Sequence, residues 1–448
     1  MRRLARLQVH AIVHTLDSLL QPSLGGGHFV RRKEVLHFVT QARIAEGWAW
    51  ERLGDLGKSG TAFTEAHDLF SAAGDKRGAA TATHLTGDIL YDQGNYAEAN
   101  RTYESALTIF REIGDQRDAS RSLNNLGNVA NDIGDFPKAM RYYEQTLAID
   151  REMGSKSGMA GALGNMANVF DSMGDLPNAR KKNEEGLALF REVGDQRGTA
   201  STLGNLGNVL VEIGELTAAR QHYDEGLKIQ KETGYRRGQA YALSNLADLL
   251  TVTRDFPEAR KLAEQALALR KELGENTNVA ISKLQMGWIA FNETRLNEAE
   301  SSLRDAAQAF QKADMRDLLI SCNALLARVL LAQGKPAEAG RLAADALRMA
   351  KSRPSRPPQF DAALALAGVQ TAEGKFGDAA KAGQEVLNQS SRYGYTGYQM
   401  ESRLVLAQVL ARSGKASQSR AQAASLQKDA RVKGYGRIER EAAKLASH

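Results

Sequence analysis

Three places in the chain carry residue types that could do chemistry. Gly54-Asp55-Leu56-Gly57-Lys58-Ser59 ends like a loop that cradles phosphate. Such a loop needs an earlier glycine where Arg52 stands, and a strand before it, which the surrounding pattern does not provide. His10-Ala11-Ile12-Val13-His14 puts two imidazoles on one helical face, the spacing of a zinc pair. The carboxylate that would act as base is replaced by Ala11, and no third ligand follows. Cys322 is the only cysteine, set in an apolar helical stretch that reads as core, so neither an internal disulfide nor a thiolate metal site can form. No nucleophile–base constellation assembles from the remaining residues. The chain therefore reads as a non-enzyme without metal or cofactor.

A different pattern points to recognition. Asn125 and Asn128, Asn165 and Asn168, Asn205 and Asn208, then Asn245 and Asp248 recur as pairs three residues apart. On a helix that spacing puts both side chains on one face. Asn in mid-helix costs several tenths of a kcal/mol relative to Ala, so its recurrence needs a reason. An amide donates and accepts, and so can clamp the backbone of an extended peptide without reading its side chains. Two other reasons compete: the amides bond to one another between neighbouring helices, or duplication copied one Asn. Asp88 precedes the ladder, and Tyr91, Arg121, Asn131, Asp171, Tyr241, Trp288 and Phe291 are its non-repeating neighbours, candidates for selectivity. Trp288 and Phe291 would either hold one apolar side chain of a ligand or pack into the junction between repeats.

The elements that must position this ladder follow from an internal period of forty. From Gly47, every fortieth position through Gly87, Gly127, Ala167, Gly207, Ala247, Gly287, Ala327, Ala367 and Ala407 is small. Twelve residues on, Ala99, Ala139, Ala179, Ala219, Ala259, Ala299, Ala339 and Ala379 form a second column, with Ser59 and Ser419 at its ends. A third, eight further on, is Leu107, Leu147, Leu187, Leu227, Leu267, Ala307, Leu347 and Leu387. Leu123, Leu126, Ala130 and Ile133 mark one helix of a unit, and Ala139, Tyr143 and Leu147 the next. Gly134 stops the first helix, Asp135 caps the second and Pro137 sits in its first turn. Small mid-helix residues predict close approach of paired helices.

These columns resemble the tetratricopeptide repeat: a small residue, then Ala, then a large apolar or aromatic residue such as Tyr103, Tyr143 and Tyr223. The unit is longer than the usual length of about 34 residues and lacks the closing Pro, so the helices should be longer. Leu123-Asn124-Asn125-Leu126-Gly127-Asn128 resembles the long-repeat subclass of kinesin light chains and Pins-type scaffolds. The texture is also similar to the C-terminal sensor arrays of bacterial kinases and transcriptional activators. The resemblance covers roughly residues 45–434 and implies an all-α, right-handed superhelical solenoid of about ten antiparallel helix pairs. It further implies that the Asn face lines a concave groove that binds a protein or peptide.

The edges differ. Residues 1–44 hold a basic segment with a short helix ending at Gly25-Gly26-Gly27; its net charge is +5, against +1 for the rest of the chain. Repeats are expected over 45–353. Arg353-Pro354-Ser355-Arg356-Pro357-Pro358 suggests a joint, with further repeats over 354–434 and a capping helix over 435–448. The neutral, mixed body argues against broad nucleic-acid binding. No apolar run is long enough for a membrane span. The lone cysteine and the polar start fit a cytoplasmic chain. The expected function is a scaffold or sensor that binds an extended segment through residues 117–274. The alternative is a regulatory arm acting in trans on a kinase or transcriptional regulator through the basic head.

Overall fold

The computed structural model describes residues 29–447, and every element in it is a helix. The His10–His14 pair and the helix expected before Gly25 lie outside the described residues. Twenty-one helices follow one another: α1 (Phe29–Leu53), α2 (Leu56–Ala72), α3 (Lys76–Asp92), α4 (Tyr96–Glu112), α5 (Gln116–Asp132), α6 (Phe136–Glu152) and α7 (Lys156–Met173). Next come α8 (Leu176–Glu192), α9 (Gln196–Ile213), α10 (Leu216–Glu232), α11 (Arg236–Thr253), α12 (Phe256–Leu273), α13 (Asn276–Asn292) and α14 (Leu296–Lys312). The chain ends with α15 (Arg316–Ala332), α16 (Pro336–Ala350), α17 (Arg356–Ala372), α18 (Phe376–Tyr393), α19 (Thr396–Arg412), α20 (Ala416–Lys433) and α21 (Gly436–Ser447). This is the all-α solenoid of helix pairs that the columns predict.

The turns form for local reasons. Gly134 closes α5 at φ +83°, and Asp135 accepts the backbone N–H of Lys138 at 3.1 Å. Asp75, Asp115 and Asp195 cap their helices in the same way. Pairing is tight because the small column faces an aromatic one. A Cβ at Gly127 would lie 2.4 Å from the Tyr143 ring, and one at Gly207 would lie 2.3 Å from Tyr223. The buried Ala139 and Ala219 lie in the same helices as those rings.

The chain forms two compact units, one through Asn165 and one from Met166. The helix Phe29–Leu53 runs through residue 44, and residues 354–434 belong to the second unit. In the first unit Phe63, Phe70, Tyr103, Phe110, Leu123 and Leu126 fill the core. In the second, odd-numbered helices touch the odd-numbered helices of neighbouring pairs, and even-numbered ones make no comparable contacts with each other among the described residues. The odd helices of the second unit are thus its inner layer.

The second unit also winds onto itself. α9 meets α19 and α11 meets α21. Leu176 and Val209 share a core with Phe360 and Tyr395, while Leu210 and Leu246 share another with Tyr435 and Ile438. A chain whose repeats touched only their neighbours would not make such contacts.

Candidate functional site

In the first unit the ladder begins inside a polar network. Tyr103 donates to Asp88 Oδ1 at 2.7 Å and Asn125 Nδ2 donates to the same oxygen at 2.8 Å. Asn125 Nδ2 also lies 3.3 Å from His84 Nε2, and His84 Nδ1 lies 2.9 Å from Ser122 Oγ. Burial, then the Arg121 charge, push His84 down to about 3, so its ring is neutral. Burial raises Asp88 to about 6 against the opposing effects of Tyr103 and Arg121. Asn125 therefore stitches α3 to α5. Asn128 accepts from Tyr143 Oη at 2.8 Å, which ties it to helix α6 of its own pair. Asn165 donates to Asn124 at 2.8 Å, the amide-to-amide bond between neighbouring inner helices. Tyr91 donates to Asp132 at 2.5 Å, and Asn131 is half-buried beside that pair.

In the second unit the ladder is less committed. Asn208 accepts from Tyr223 Oη at 2.7 Å, repeating the Asn128 bond. Asn168 is exposed, and Asn205 and Asn245 are half-buried with atoms open to solvent. Gly204 stands beside Asn205 with nothing within 4 Å of a built Cβ. Asp248 receives Gln285 Nε2 at 2.7 Å. Its carboxyl remains wetted, yet the protein mass around it pushes it up to about 6. Tyr241 is 44% exposed; its hydroxyl reaches Asn278 at 3.4 Å, and the buried Arg270 guanidinium lies 5.4 Å from its ring centre. Trp288 and Phe291 are half-buried and pack on the α13–α16 core. The Arg328 guanidinium sits 5.4 Å over the Phe291 ring.

Several inner-layer residues escaped the sequence reading. His84 is one forty-residue step before Asn124, Gln285 one step after Asn245, and Arg328 one step after Trp288. Asp361 accepts from Tyr398 at 2.9 Å, and Glu401 pairs with Arg437 and, at 3.8 Å, with Arg328. Burial lowers Arg437 to about 9. Continuing the two ladder columns past Asn245 and Asp248 would have found Gln285 and Arg328, and continuing the column of Arg121 and Tyr241 would have found Asp361 and Glu401.

The phosphate-like stretch is an ordinary cap. Asp55 accepts from Lys58 N at 3.1 Å, Ser59 Oγ donates to Gly47 O at 2.8 Å, and Lys58 Nζ lies over the Trp50 ring. Cys322 is buried, donates to Leu303 O at 3.3 Å and is pushed up to about 12 by burial. Among the described residues no group of three or more His, Cys, Asp or Glu could hold a metal, and no helix is long and apolar enough to cross a membrane.

Known proteins match this architecture. A model of the tetratricopeptide repeat matches residues 51–112 and 87–152. Among solved structures, apo RapI superposes with a TM-score of 0.50 at 16% identity, covering 62% of this chain and 99% of that one. BtubC (BKLC) from P. vanneervenii gives 0.42 at 20% identity, covering 49% and 91%. A signal-transduction ATPase with a tetratricopeptide repeat sensor, from Pyrococcus horikoshii, gives 0.48 at 15% identity, covering 77% of this chain and 53% of that one. A comparison with curated proteins finds no match. The model of the MalT-like tetratricopeptide repeat region matches residues 129–437, most of the length, and the chain belongs to that family.

Proposed function

We propose that the inner layer of the second unit captures an extended segment of a partner protein, and that the chain works by this binding and not by catalysis. Tetratricopeptide arrays are protein-interaction scaffolds, and this chain is one of them. One observation carries the finer reading. Asn205 and Asn245 stand on inner helices, where Asn is a poor helix former, with their polar atoms open to solvent. Both can donate to and accept from a peptide backbone. Gly204 leaves room for that backbone to approach. Tyr241, Trp288 and Phe291 supply aromatic surface, and Arg328 and Asp248 supply opposite charges for selectivity.

The test replaces Asn205 and Asn245 with Ala together and recovers partners from the native cell. Circular dichroism should stay unchanged, because Ala favours the helix, while partner recovery falls at least about tenfold, since each lost peptide hydrogen bond is worth about 1 kcal/mol. Undiminished recovery would refute the groove reading.

A further inference from the structure

Asp171 lies in the last turn of α7 and Glu212 in the last turn of α9, and the two carboxyls are close enough for the charge of Asp171 to act on Glu212. Asp171 Oδ1 and Glu212 Oε2 are buried, and no donor among the described residues reaches them. Buried acceptors with no donor need an explanation, and a proton shared between the carboxyls supplies one. The pair sits where the second unit winds onto itself. Tyr395 Oη donates to Asp171 O at 3.3 Å, Thr396 Oγ1 to Ile213 O at 2.7 Å and Arg356 Nε to Met173 O at 3.4 Å. One repeat on, Tyr435 Oη donates to Val211 O at 3.4 Å. Leu176 packs against Gly394, and Leu216 against Gly434.

We propose that Asp171 and Glu212 are a proton-operated latch: sharing a proton they hold this seam closed, and ionised they part it. Parting the seam would loosen the inner layer, so the regulatory half of the proposal rests on the groove reading; the latch itself does not.

The surroundings fix the direction. From α19 and its cap come Tyr395 and Tyr398, from the cap of α21 comes Tyr435, and from α17 come Arg356 and Asp361. Arg356 acts on Tyr395, and among the described residues no cation offsets either carboxyl of the pair. Burial raises both carboxyls, and the Asp171 charge raises Glu212 further. The closed seam therefore binds a proton that an open, wetted seam releases. Closure is favoured on the acid side and is lost as pH rises through the raised value.

The experiment uses the full chain with Lys181→Cys and Ser391→Cys carrying spin labels on exposed positions of α8 and α18. Cys322 is buried and stays unlabelled. Between about pH 5 and about pH 9 the label separation should lengthen and broaden, with a midpoint above the ordinary carboxylate range. Glu212→Gln keeps a donor for Asp171 but carries no charge, and should hold the short separation throughout. Asp171→Asn serves the same purpose if that variant folds poorly. A wild-type separation that ignores pH, or a shift that survives in the variants, overturns the latch. The Asn205→Ala, Asn245→Ala chain should show the wild-type shift, so failure of the groove reading would leave this readout intact.

Discussion

At the scale of single residues, the inner layer spends its polar groups in two ways. Asn125, Asn128 and Asn208 serve the fold, while Asn205 and Asn245 stay open. The sequence shows the Asn column and the Tyr column, but not that Tyr143 bonds Asn128, because the columns do not reveal which hydroxyl meets which amide across a pair. The His84–Asp88 network makes a prediction whose sign can be worked out. Unfolded His84 takes up a proton near the ordinary histidine value of 6.5, and the folded ring refuses it down to about 3. Its contribution is full above 6.5 and lost as pH falls, on the order of 2 kcal/mol by about pH 5. Asp88 acts oppositely: the folded carboxyl binds a proton near 6 that the unfolded one binds only near 3.8. It adds stability as pH falls, less than its shift implies because it is part-exposed. The wild-type first unit should thus lose little stability between pH 7 and about pH 5. In Asp88→Asn the loss should steepen, and in His84→Gln the slope should reverse. Melting temperatures at several pH values decide it, and parallel slopes in all three chains would show that the two groups are not the titrating ones.

At the scale of elements, glycine in mid-helix has two meanings here. Gly127 and Gly207 are required, since a Cβ would strike the Tyr143 or Tyr223 ring of the paired helix. Gly207→Ala should therefore destabilise by about 1–3 kcal/mol, the usual cost of overpacking. Gly164 and Gly204 have nothing within 4 Å of a built Cβ and weaken their helices without such a reason. Gly204→Ala should stabilise by about 0.5–1 kcal/mol and, if the inner layer holds a peptide backbone, weaken capture at the same time. Denaturant midpoints of the two variants should move in opposite directions. Movement in the same direction would mean that neither close packing nor helix propensity governs these sites. Helix pairing was legible because small and aromatic columns recur at one period. The meaning of Gly164 and Gly204 was not, because a period says which residues repeat and not which of them have empty space beside them.

At the scale of the molecule, a simple solenoid should unfold from its ends, each pair depending only on its neighbours. The second unit departs from that. Tyr395 and Tyr435 bond to chain positions 224 residues earlier, and the cores around Leu176 and Leu210 draw on α17 through α21. Such contacts depend on rotation accumulated over several pairs, which a forty-residue period does not encode. A trace of them was nonetheless in the sequence. Gly394-Tyr395 and Gly434-Tyr435 stand where Gly74-Asp75, Gly114-Asp115 and Gly194-Asp195 stand elsewhere. Tyr395 gives up the capping bond that Asp would make and is buried in the seam instead. Burying one such side chain is worth roughly 1.5–3 kcal/mol, more than the cap of about 1 kcal/mol that it replaces. The seam should therefore couple the end of the array to its middle. In native-state hydrogen exchange, amides of α19 and α21 should open with the same free energy and denaturant dependence as those of α9. Tyr395→Ala combined with Tyr435→Ala should split them, lowering the protection of α19 and α21 by several kcal/mol while α9 falls less. If α19 and α21 already fray independently of α9 in the unaltered chain, the seam does not bear on stability, and the second unit is an ordinary solenoid.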